Sequence, residues 1–274
     1  MTVSEPLKLN AVCEFLERFA PSQLAESWDN VGLLIGDRAQ NVQGIVTCLT
    51  VTPEVVEEAI EADADLIVTH HPMPFRAIKR ITSGDTVGQM LLKLIQHRIA
   101  VYSPHTAFDS CAEGINFQLA AAMGLTDIQP LIPVDLLGVS GGTSQVGTGR
   151  WGTLASGKTP LAVVAETAKQ ATNAAMVKVV GRATSEISTI AIGCGSAGEL
   201  LAAAIEKKVG CLILGETSFH TCLEAKAQNV ALILVGHFAS ERFAVEKLAS
   251  ILADAFPAAN VWCSRQDVNP IHFA

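Results

Sequence analysis

Two histidines in this sequence each precede a carboxylate by four residues. His105 stands four residues before Asp109, and His237 stands four residues before Glu241. Because residues at i and i+4 share one face of a helix, each pair can direct an imidazole and a carboxylate at the same point. Imidazole and carboxylate groups are ligands of first-row divalent metals. The spacing therefore predicts metal binding.

A further pair of histidines, His70 and His71, is adjacent in the sequence and follows an apolar run. If the backbone is extended there, the two side chains point in different directions, so we expect two neighbouring metals to take one imidazole each. Alternatively, any single histidine after a strand could be a hydrogen-bonded polar residue that binds no metal. Several such residues at strand ends favour the clustered metal site.

The elements that must position these residues are strand-length apolar runs alternating with helix-like stretches. The first half predicts strands at 44–49, 66–69 and 99–103, with helices at 55–62 and 86–97 between them. This order is typical of a parallel sheet covered by helices. Ligands of open α/β sheets bind beyond the carboxyl ends of the strands. The polar candidates there include five of the seven histidines and are His70, His71, His105, Asp109, Glu216, His220, His237 and Glu241.

The same order returns in the second half, with a strand, a helix and two further strands at 187–192, 198–208, 211–214 and 232–235. Aligning Ile45 with Ala191 superimposes the next strand of each half without a gap. We interpret this as a weak internal duplication, although chance alignment of two ordinary βαβ units remains an alternative. The glycine-rich run 138–149 is interpreted as a loop or linker, and the first lobe is expected to end before it, near 125–130.

Composition narrows the class of protein. Hydrophobic residues make up 49% and charged residues 17% of the 274, which favours buried α/β layers over disorder. The net charge of −8 argues against a general nucleic-acid surface. The sequence contains neither a signal-peptide pattern nor an apolar run long enough to span a membrane. Its seven cysteines predict free thiols in a reducing compartment, and hence a cytoplasmic protein.

Three other features admit two interpretations each. Residues 152–159 match the phosphate-loop pattern G-x-x-x-x-G-K-[ST], but no buried strand precedes them, so Thr159-Pro160 is better interpreted as the cap and first turn of a helix over 161–171. The segment 28–33 predicts a turn with a packed Trp28 rather than a site residue. Cys111 could be a nucleophile, although no other feature of the sequence supports that role.

Five segments in this order resemble the dinuclear metal centre hexameric protein family, often labelled GTP cyclohydrolase 1 type 2 homologue; they are 28–33, 65–72, 105–109, 149–152 and 236–242. The resemblance covers nearly the whole chain. It implies an α/β fold of two related lobes, each a largely parallel sheet flanked by helices, with a metal pair in the cleft between them. The implied domains are a first lobe at 1–128, an inserted second lobe at 129–230 and a returning segment at 231–274.

The resemblance also implies a site and an assembly. The implied ligands of the two divalent metal ions are His70, His71, Asp109, His237 and Glu241. His105 would stand beside them, and His105 or His220 could relay protons. The metal could be zinc, iron, manganese or nickel. The expected function is metal-dependent hydrolysis of GTP, a phosphoester or an amide, and the alternative is a non-enzymatic metal-binding or regulatory scaffold. The expected partners are further copies of the chain in a toroidal homohexamer and a small-molecule or nucleotide substrate.

Overall fold

The computed structural model describes residues 6–135 and 145–272. The α-helices in these residues are α1 (Leu9–Phe19), α2 (Pro53–Glu61), α3 (Thr86–Gln96), α4 (His105–Ser110), α5 (Ile115–Ala122), α6 (Leu161–Ala171), α7 (Leu201–Glu206), α8 (Phe219–Ala227) and α9 (His237–Ala255). The strands are β1 (Gly32–Ile35), β2 (Gly44–Cys48), β3 (Leu66–Thr69), β4 (Ala100–Ser103), β5 (Leu125–Pro133), β6 (Gly147–Leu154), β7 (Thr159–Pro160), β8 (Lys178–Val180), β9 (Glu186–Ile187), β10 (Thr189–Gly193), β11 (Cys211–Leu214), β12 (Ala231–Leu234) and β13 (Asn260–Cys263). Among the described helices, none combines the length and the apolar character needed to cross a membrane.

The chain divides into two compact units, each with a sheet of its own. One unit comprises the residues up to Phe108 together with the segment from Val245 onward, and the other is Asp109–Ala244. The boundaries thus lie at 108 and 244, whereas the sequence suggested 128 and 230. The difference arises because α5 and β5 pack into the sheet and core of the second unit, and because α9 begins in that unit.

The sheet of the first unit has the order β1-β4-β3-β2-β13, and only β1 runs antiparallel to its neighbour. It is therefore largely parallel, as predicted. Helix α2 begins two residues before the predicted start at 55, with Pro53 in its first turn and the Thr52 hydroxyl accepting a hydrogen bond from the Val55 amide at 3.3 Å. Val55 of α2 and Leu94 of α3 pack with Ile67 of β3 in one core.

The sheet of the second unit has the order β5-β6-β10-β11-β12-β8. Its central strands β10, β11 and β12 are parallel, but β5, β6 and β8 are antiparallel, so this sheet is mixed. Side chains alternate between its faces. Ile213 and Ile233 pack in the core with α5 and α6, whereas Leu212 and Leu232 pack in the core with α7 and α8. Helices therefore cover both faces, which confirms the α/β class.

The glycine-rich run connects two paired strands and is not a linker between lobes. Strands β5 and β6 pair antiparallel from Leu125 opposite Leu154 to Pro133 opposite Gly147. A Cβ atom on Gly147 would lie 2.2 Å from the Ile132 carbonyl oxygen, so the close approach of the two strands requires glycine there. Residues 136–144 of the run lie outside the described residues.

The two sheets share a register that the proposed duplication predicts. Ile45 of β2 stands opposite Leu66 of β3, and Ala191 of β10 stands opposite Leu212 of β11. In both sheets the third strand of the βαβ series has an antiparallel strand as its outer neighbour. This neighbour is β1 beside β4 in the first sheet and β8 beside β12 in the second. His105 and His237 then begin the helices after the equivalent strands β4 and β12.

The segment that matches the phosphate-loop pattern is not a phosphate loop. Its first residues belong to β6, which pairs with β5 and β10, and its last belongs to the short strand β7. Lys158 is exposed and lies 3.7 Å from a carboxylate oxygen of Glu186. Helix α6 covers 161–171 as predicted, but Thr159 does not cap it, because Pro160 occupies the cap position with no side-chain hydrogen bond.

Candidate metal centre

Three imidazoles meet within the first unit, at the carboxyl ends of two neighbouring parallel strands. His70 and His71 follow β3, and His105 follows β4, which pairs with β3. The ring centroid of His70 lies 5.2 Å from that of His71 and 5.0 Å from that of His105. The centroids of His71 and His105 are 5.7 Å apart. One nitrogen from each ring lies within 4.8 Å of the other two. Such a group can hold a divalent cation.

The expectation that His70 and His71 point in different directions required an extended backbone, and the backbone is not extended at these two residues. Strand β3 ends at Thr69, and the chain bends at the two histidines, so the alternation of side chains along an extended strand no longer applies. The bend is fixed by backbone hydrogen bonds, since the amides of His70 and His71 donate to the carbonyls of Cys48 and Leu49 at 3.0 and 2.8 Å. Both rings therefore belong to one cluster.

Hydrogen bonds at Nδ1 orient two of these rings. Nδ1 of His71 lies 2.7 Å from the Thr50 hydroxyl, and Nδ1 of His105 lies 2.7 Å from Oδ1 of Asp29. Because a carboxylate oxygen only accepts, Nδ1 of His105 carries the proton. Nε2 is then the atom of each ring that would bind a metal or take a proton, which is the usual arrangement in metal sites and in catalytic dyads.

Asp29 is a buried carboxylate that is held in its charged form. Its Oδ2 accepts hydrogen bonds from the amide of Thr106 at 3.1 Å and from the hydroxyl of the same residue. Burial alone would raise the pKa of Asp29, but the hydrogen bonds from His105 and Thr106 outweigh it and lower the pKa to about 2. The sequence had suggested a turn with a packed Trp28. Instead Trp28 is 61% exposed, and the contact with His105 makes Asp29 a site residue.

The second unit contains a histidine held between two carboxylates. His237 begins α9 and Glu241 lies one turn further on, with 3.3 Å between Nε2 and Oε2. On the other side of the ring, Nδ1 lies 2.9 Å from Oε1 of Glu216. The hydrogen bond and charge of Glu241, followed by those of Glu216, raise the pKa of His237 to about 9. Glu216 thus holds Nδ1 while Nε2 faces a second ligand, as a metal-binding histidine requires.

Asp109 and Glu241 both lie near the buried thiol of Cys194 in this unit. Burial, followed by the negative charges of Glu241 and Asp109, raises the pKa of Cys194 well above its ordinary value. Carboxylate groups, together with the imidazole of His237, are donors that suit a first-row divalent metal. Cys111, which the sequence offered as a possible nucleophile, is a buried thiol. Burial raises its pKa to about 12, so it is protonated at neutral pH and unsuited to that role.

Gly195, in the loop after β10, makes room for the Glu241 carboxylate. A Cβ atom on Gly195 would lie 2.3 Å from Oε1 of Glu241, and the residue has φ of +67°. The Gly195 amide donates to the Ser240 hydroxyl at 2.9 Å, which ties this loop to the first turn of α9. Only glycine satisfies both the backbone conformation and the close approach.

Arg150 fixes the chain immediately after Asp109. Its guanidinium, which is 1% exposed, donates to the carbonyl of Cys111 at 2.6 Å and to those of Gly147 and Gly149 at 2.7 Å each. Burial lowers its pKa to about 10, a value that still leaves it charged at neutral pH. The sequence placed Arg150 in a motif but indicated no role for it, since its partners are backbone carbonyls and carry no sequence signal.

His220 belongs to no group of three or more clustered metal-binding side chains among residues 6–135 and 145–272. It is exposed on α8, where its ring centroid is 6.2 Å from that of Phe219. The strand-end rule selected it because α8 follows β11, but the helix carries the side chain outward. Of the two predicted proton relays, the geometry therefore favours His105.

Comparison with known proteins places the chain in a family. The model of the Duf34/NIF3 (NGG1p interacting factor 3) family matches residues 7–270. The NIF3-like protein 1 of Drosophila melanogaster is 35% identical over 268 residues, which cover 96% of this chain and 88% of that protein. A protein of Clostridium acetobutylicum named GTP cyclohydrolase 1 type 2 homolog is 34% identical over 235 residues, covering 86% of this chain and 85% of that one.

Solved structures agree with this assignment. A Staphylococcus aureus hypothetical protein has a TM-score of 0.88 and 29% identity, over 98% of this chain and 100% of that one. A Bacillus cereus protein related to NIF3 also has a TM-score of 0.88, and at 20% identity it supports the fold alone. The family match over nearly the whole sequence confirms the resemblance drawn from the five motifs. The chain belongs to the Duf34/NIF3 family.

Proposed function

We propose that this protein is a metal-dependent hydrolase that holds two divalent ions through His70, His71, Asp109, His237 and Glu241. The observation that carries the proposal is the histidine cluster of the first unit, in which three ring nitrogens lie within 4.8 Å of one another. Clustered imidazoles whose Nδ1 atoms are held by oxygen partners are typical of metal sites. The imidazole and carboxylates of the second unit supply the remaining ligands.

The donor set fits the proposed ions. Mixed imidazole and carboxylate ligands suit zinc, iron, manganese and nickel alike, so the chemistry of the site leaves the choice among them open. A pair of such ions, when bound, would lower the pKa of bound water toward neutrality and polarise a substrate oxygen.

The proton chemistry is assigned to this chain's own residues. We propose that Nε2 of His105 takes the proton of the attacking water and later returns it to the leaving group. Asp29 fixes the ring by accepting a hydrogen bond from the Nδ1–H group, and its lowered pKa keeps it anionic so that it stabilises the imidazolium that forms. The same hydrogen bond could orient a metal ligand, but a carboxylate–imidazole pair can also transfer a proton, and this capacity is the reason that we prefer the enzyme over the non-enzymatic alternative.

The names of relatives suggest a first substrate. Several are called GTP cyclohydrolase 1 type 2 homolog, and that name suggests hydrolytic attack on the imidazole ring of GTP. A phosphoester or amide hydrolase would need the same parts. We therefore propose GTP as the first compound to test and generic phosphoesters and amides as the next.

The test is hydrolysis by the purified, metal-supplemented protein, with His71→Ala as the inactivating variant. His97→Ala is the matched control, because His97 is an exposed histidine at the end of α3 and outside the cluster. The proposal expects hydrolysis of at least one substrate class in the wild type and in the control, and its loss in His71→Ala. Activity that survives His71→Ala would remove the metal-dependent mechanism. Stoichiometric metal binding with no activity on any substrate would favour the metal-binding scaffold.

Self-association into a homohexamer is a separate proposal that rests on the family resemblance. Light scattering coupled to size-exclusion chromatography would measure the mass of the particle in solution. A mass of about six chains of 28.9 kDa is expected, and a monomer or dimer would contradict it.

A further inference from the structure

Two large aromatic side chains are exposed side by side next to the histidine cluster. Trp28 is 61% exposed and Phe75 is 48% exposed, and their ring centroids lie 6.0 Å apart. Leaving adjacent aromatic rings in water forgoes the free energy that their burial would provide. Exposed apolar groups that lie together often mark a binding site.

Hydrogen bonds hold these two rings in place. The side-chain amide of Asn30 donates to the Pro74 carbonyl at 2.8 Å, which joins the loop that carries Trp28 to the loop that carries Phe75. The Asn30 backbone amide donates to Oδ1 of Asp29 at 2.7 Å, the same oxygen that holds His105. The aromatic pair is therefore preorganised relative to the predicted catalytic imidazole.

The rings of the pair also contact that imidazole directly. The His105 ring centroid lies 6.1 Å from that of Trp28 and 6.3 Å from that of Phe75, with steep interplanar angles in both cases. A planar molecule resting on Trp28 or Phe75 would have its edge close to His105. At this position the aromatic pair can bind a part of the substrate that does not itself react.

The loop that follows Phe75 is strongly basic in an acidic chain. Residues 66–84 contain no Asp or Glu but include Arg76, Lys79 and Arg80, whereas the whole protein has a net charge of −8. All three cations are exposed, and none of them takes part in an ion pair among residues 6–135 and 145–272. Exposed cations without acidic partners attract an anionic ligand.

We propose that Trp28, Phe75 and the basic run 76–80 form a subsite that binds a planar aromatic ring carrying an anionic group. The ring stacks on the aromatic pair, and the anionic group, such as a phosphate, pairs with Arg76, Lys79 or Arg80. This subsite rests on the proposed function, because it presents the substrate to the same histidines. It assigns the recognition of the substrate to residues that are not metal ligands.

The experiment measures the affinity of the full-length protein for GTP, guanosine and inorganic triphosphate by calorimetry. Trp28→Ala and Phe75→Ala each remove one ring, and the triple variant Arg76→Gln, Lys79→Gln and Arg80→Gln removes the cations. Stacking on one aromatic side chain predicts a loss of GTP affinity of about tenfold to a hundredfold in each alanine variant. Trp28→Phe keeps a ring and should keep most of the affinity, which separates stacking from misfolding.

Lys158→Gln provides the matched control, since Lys158 is an exposed cation in the sequence that imitates a phosphate loop. It should bind GTP as the wild type does, while the triple variant should bind GTP weakly and with less dependence on salt. The subsite is overturned if no probe binds, if both alanine variants bind GTP as tightly as the wild type, if guanosine binds as tightly as GTP, or if Trp28→Ala changes only the oligomeric mass. Ring-dependent binding of GTP, together with no hydrolysis of GTP, phosphoesters or amides, would instead overturn the proposed function alone.

Discussion

Replacing Gly195 by alanine should weaken metal binding through one misplaced carboxylate. The new Cβ atom would lie 2.3 Å from Oε1 of Glu241, whereas ordinary contacts begin near 3.4 Å. The carboxylate or the loop must therefore move by about 1 Å, which exceeds the tolerance of about 0.2 Å for a metal–ligand distance. The substitution perturbs a proposed ligand without touching it chemically.

Two contributions set the size of the effect. The φ of +67° costs a non-glycine residue about 1–2 kcal/mol of stability. The displaced ligand should lower metal affinity by about 10- to 100-fold, the range seen when ligand orientation is lost, or about 1.4–2.8 kcal/mol. The first contribution affects folding with or without metal, whereas the second appears only in metal binding.

Gly157→Ala separates the two contributions. Gly157 has a similar φ of +72° but open space where its Cβ would stand. Both variants should unfold at lower denaturant concentration in the absence of metal, and only Gly195→Ala should bind metal more weakly in a calorimetric titration. Equal metal affinity in Gly195→Ala and Gly157→Ala would refute the assignment of Glu241 as a ligand positioned by this loop.

Three further predictions concern charged groups. Asp29→Asn should reduce hydrolysis by about 10²-fold or more, because His105 loses the carboxylate that orients it. Because the pKa of Asp29 is lowered to about 2, its charged form stabilises the folded protein above pH 3.8, and this stability is lost as the pH falls toward 2. The Asp29→Asn variant should not show this loss of stability in acid. Identical acid unfolding of the variant and the wild type would contradict the assignment. Arg150→Met should lower the free energy of unfolding by about 3–5 kcal/mol in urea, since several buried carbonyls lose their donor, and a change below about 1 kcal/mol would contradict this. Metal affinity should rise with pH up to about 9, because His237 must lose its proton to bind, and an affinity that is flat between pH 6 and 9 would exclude His237 as a ligand.

The parts of the fold and site that the sequence predicts are those with local signals. Strand β3 covers the residues predicted for it, and β2 and β4 end within one residue of the predictions, because short apolar runs between turn and helix signals mark buried strands. The rule that ligands bind at the carboxyl ends of parallel strands located His70 and His71, which do lie in a cluster with His105.

The parts that the sequence does not predict depend on contacts between distant residues. Asp29 reaches His105 across 76 positions, and nothing near Asp29 indicates that partner. The antiparallel strands β5 and β6 surround the glycine-rich run, so a segment with the composition of a linker is a connection inside one sheet. His220 was selected by the same rule as His70, yet the orientation of α8 leaves it exposed. Position at a strand end is therefore informative, but the direction of the side chain requires the structure.

A count of metal ions per chain in the purified protein, made by inductively coupled plasma mass spectrometry, tests whether these residues bind a pair of metals. We expect about two divalent ions per wild-type chain and fewer in both His71→Ala and Glu241→Ala, with His97→Ala equal to the wild type. A wild-type protein that retains no metal after reconstitution, or variants that keep the full number of ions, would contradict it.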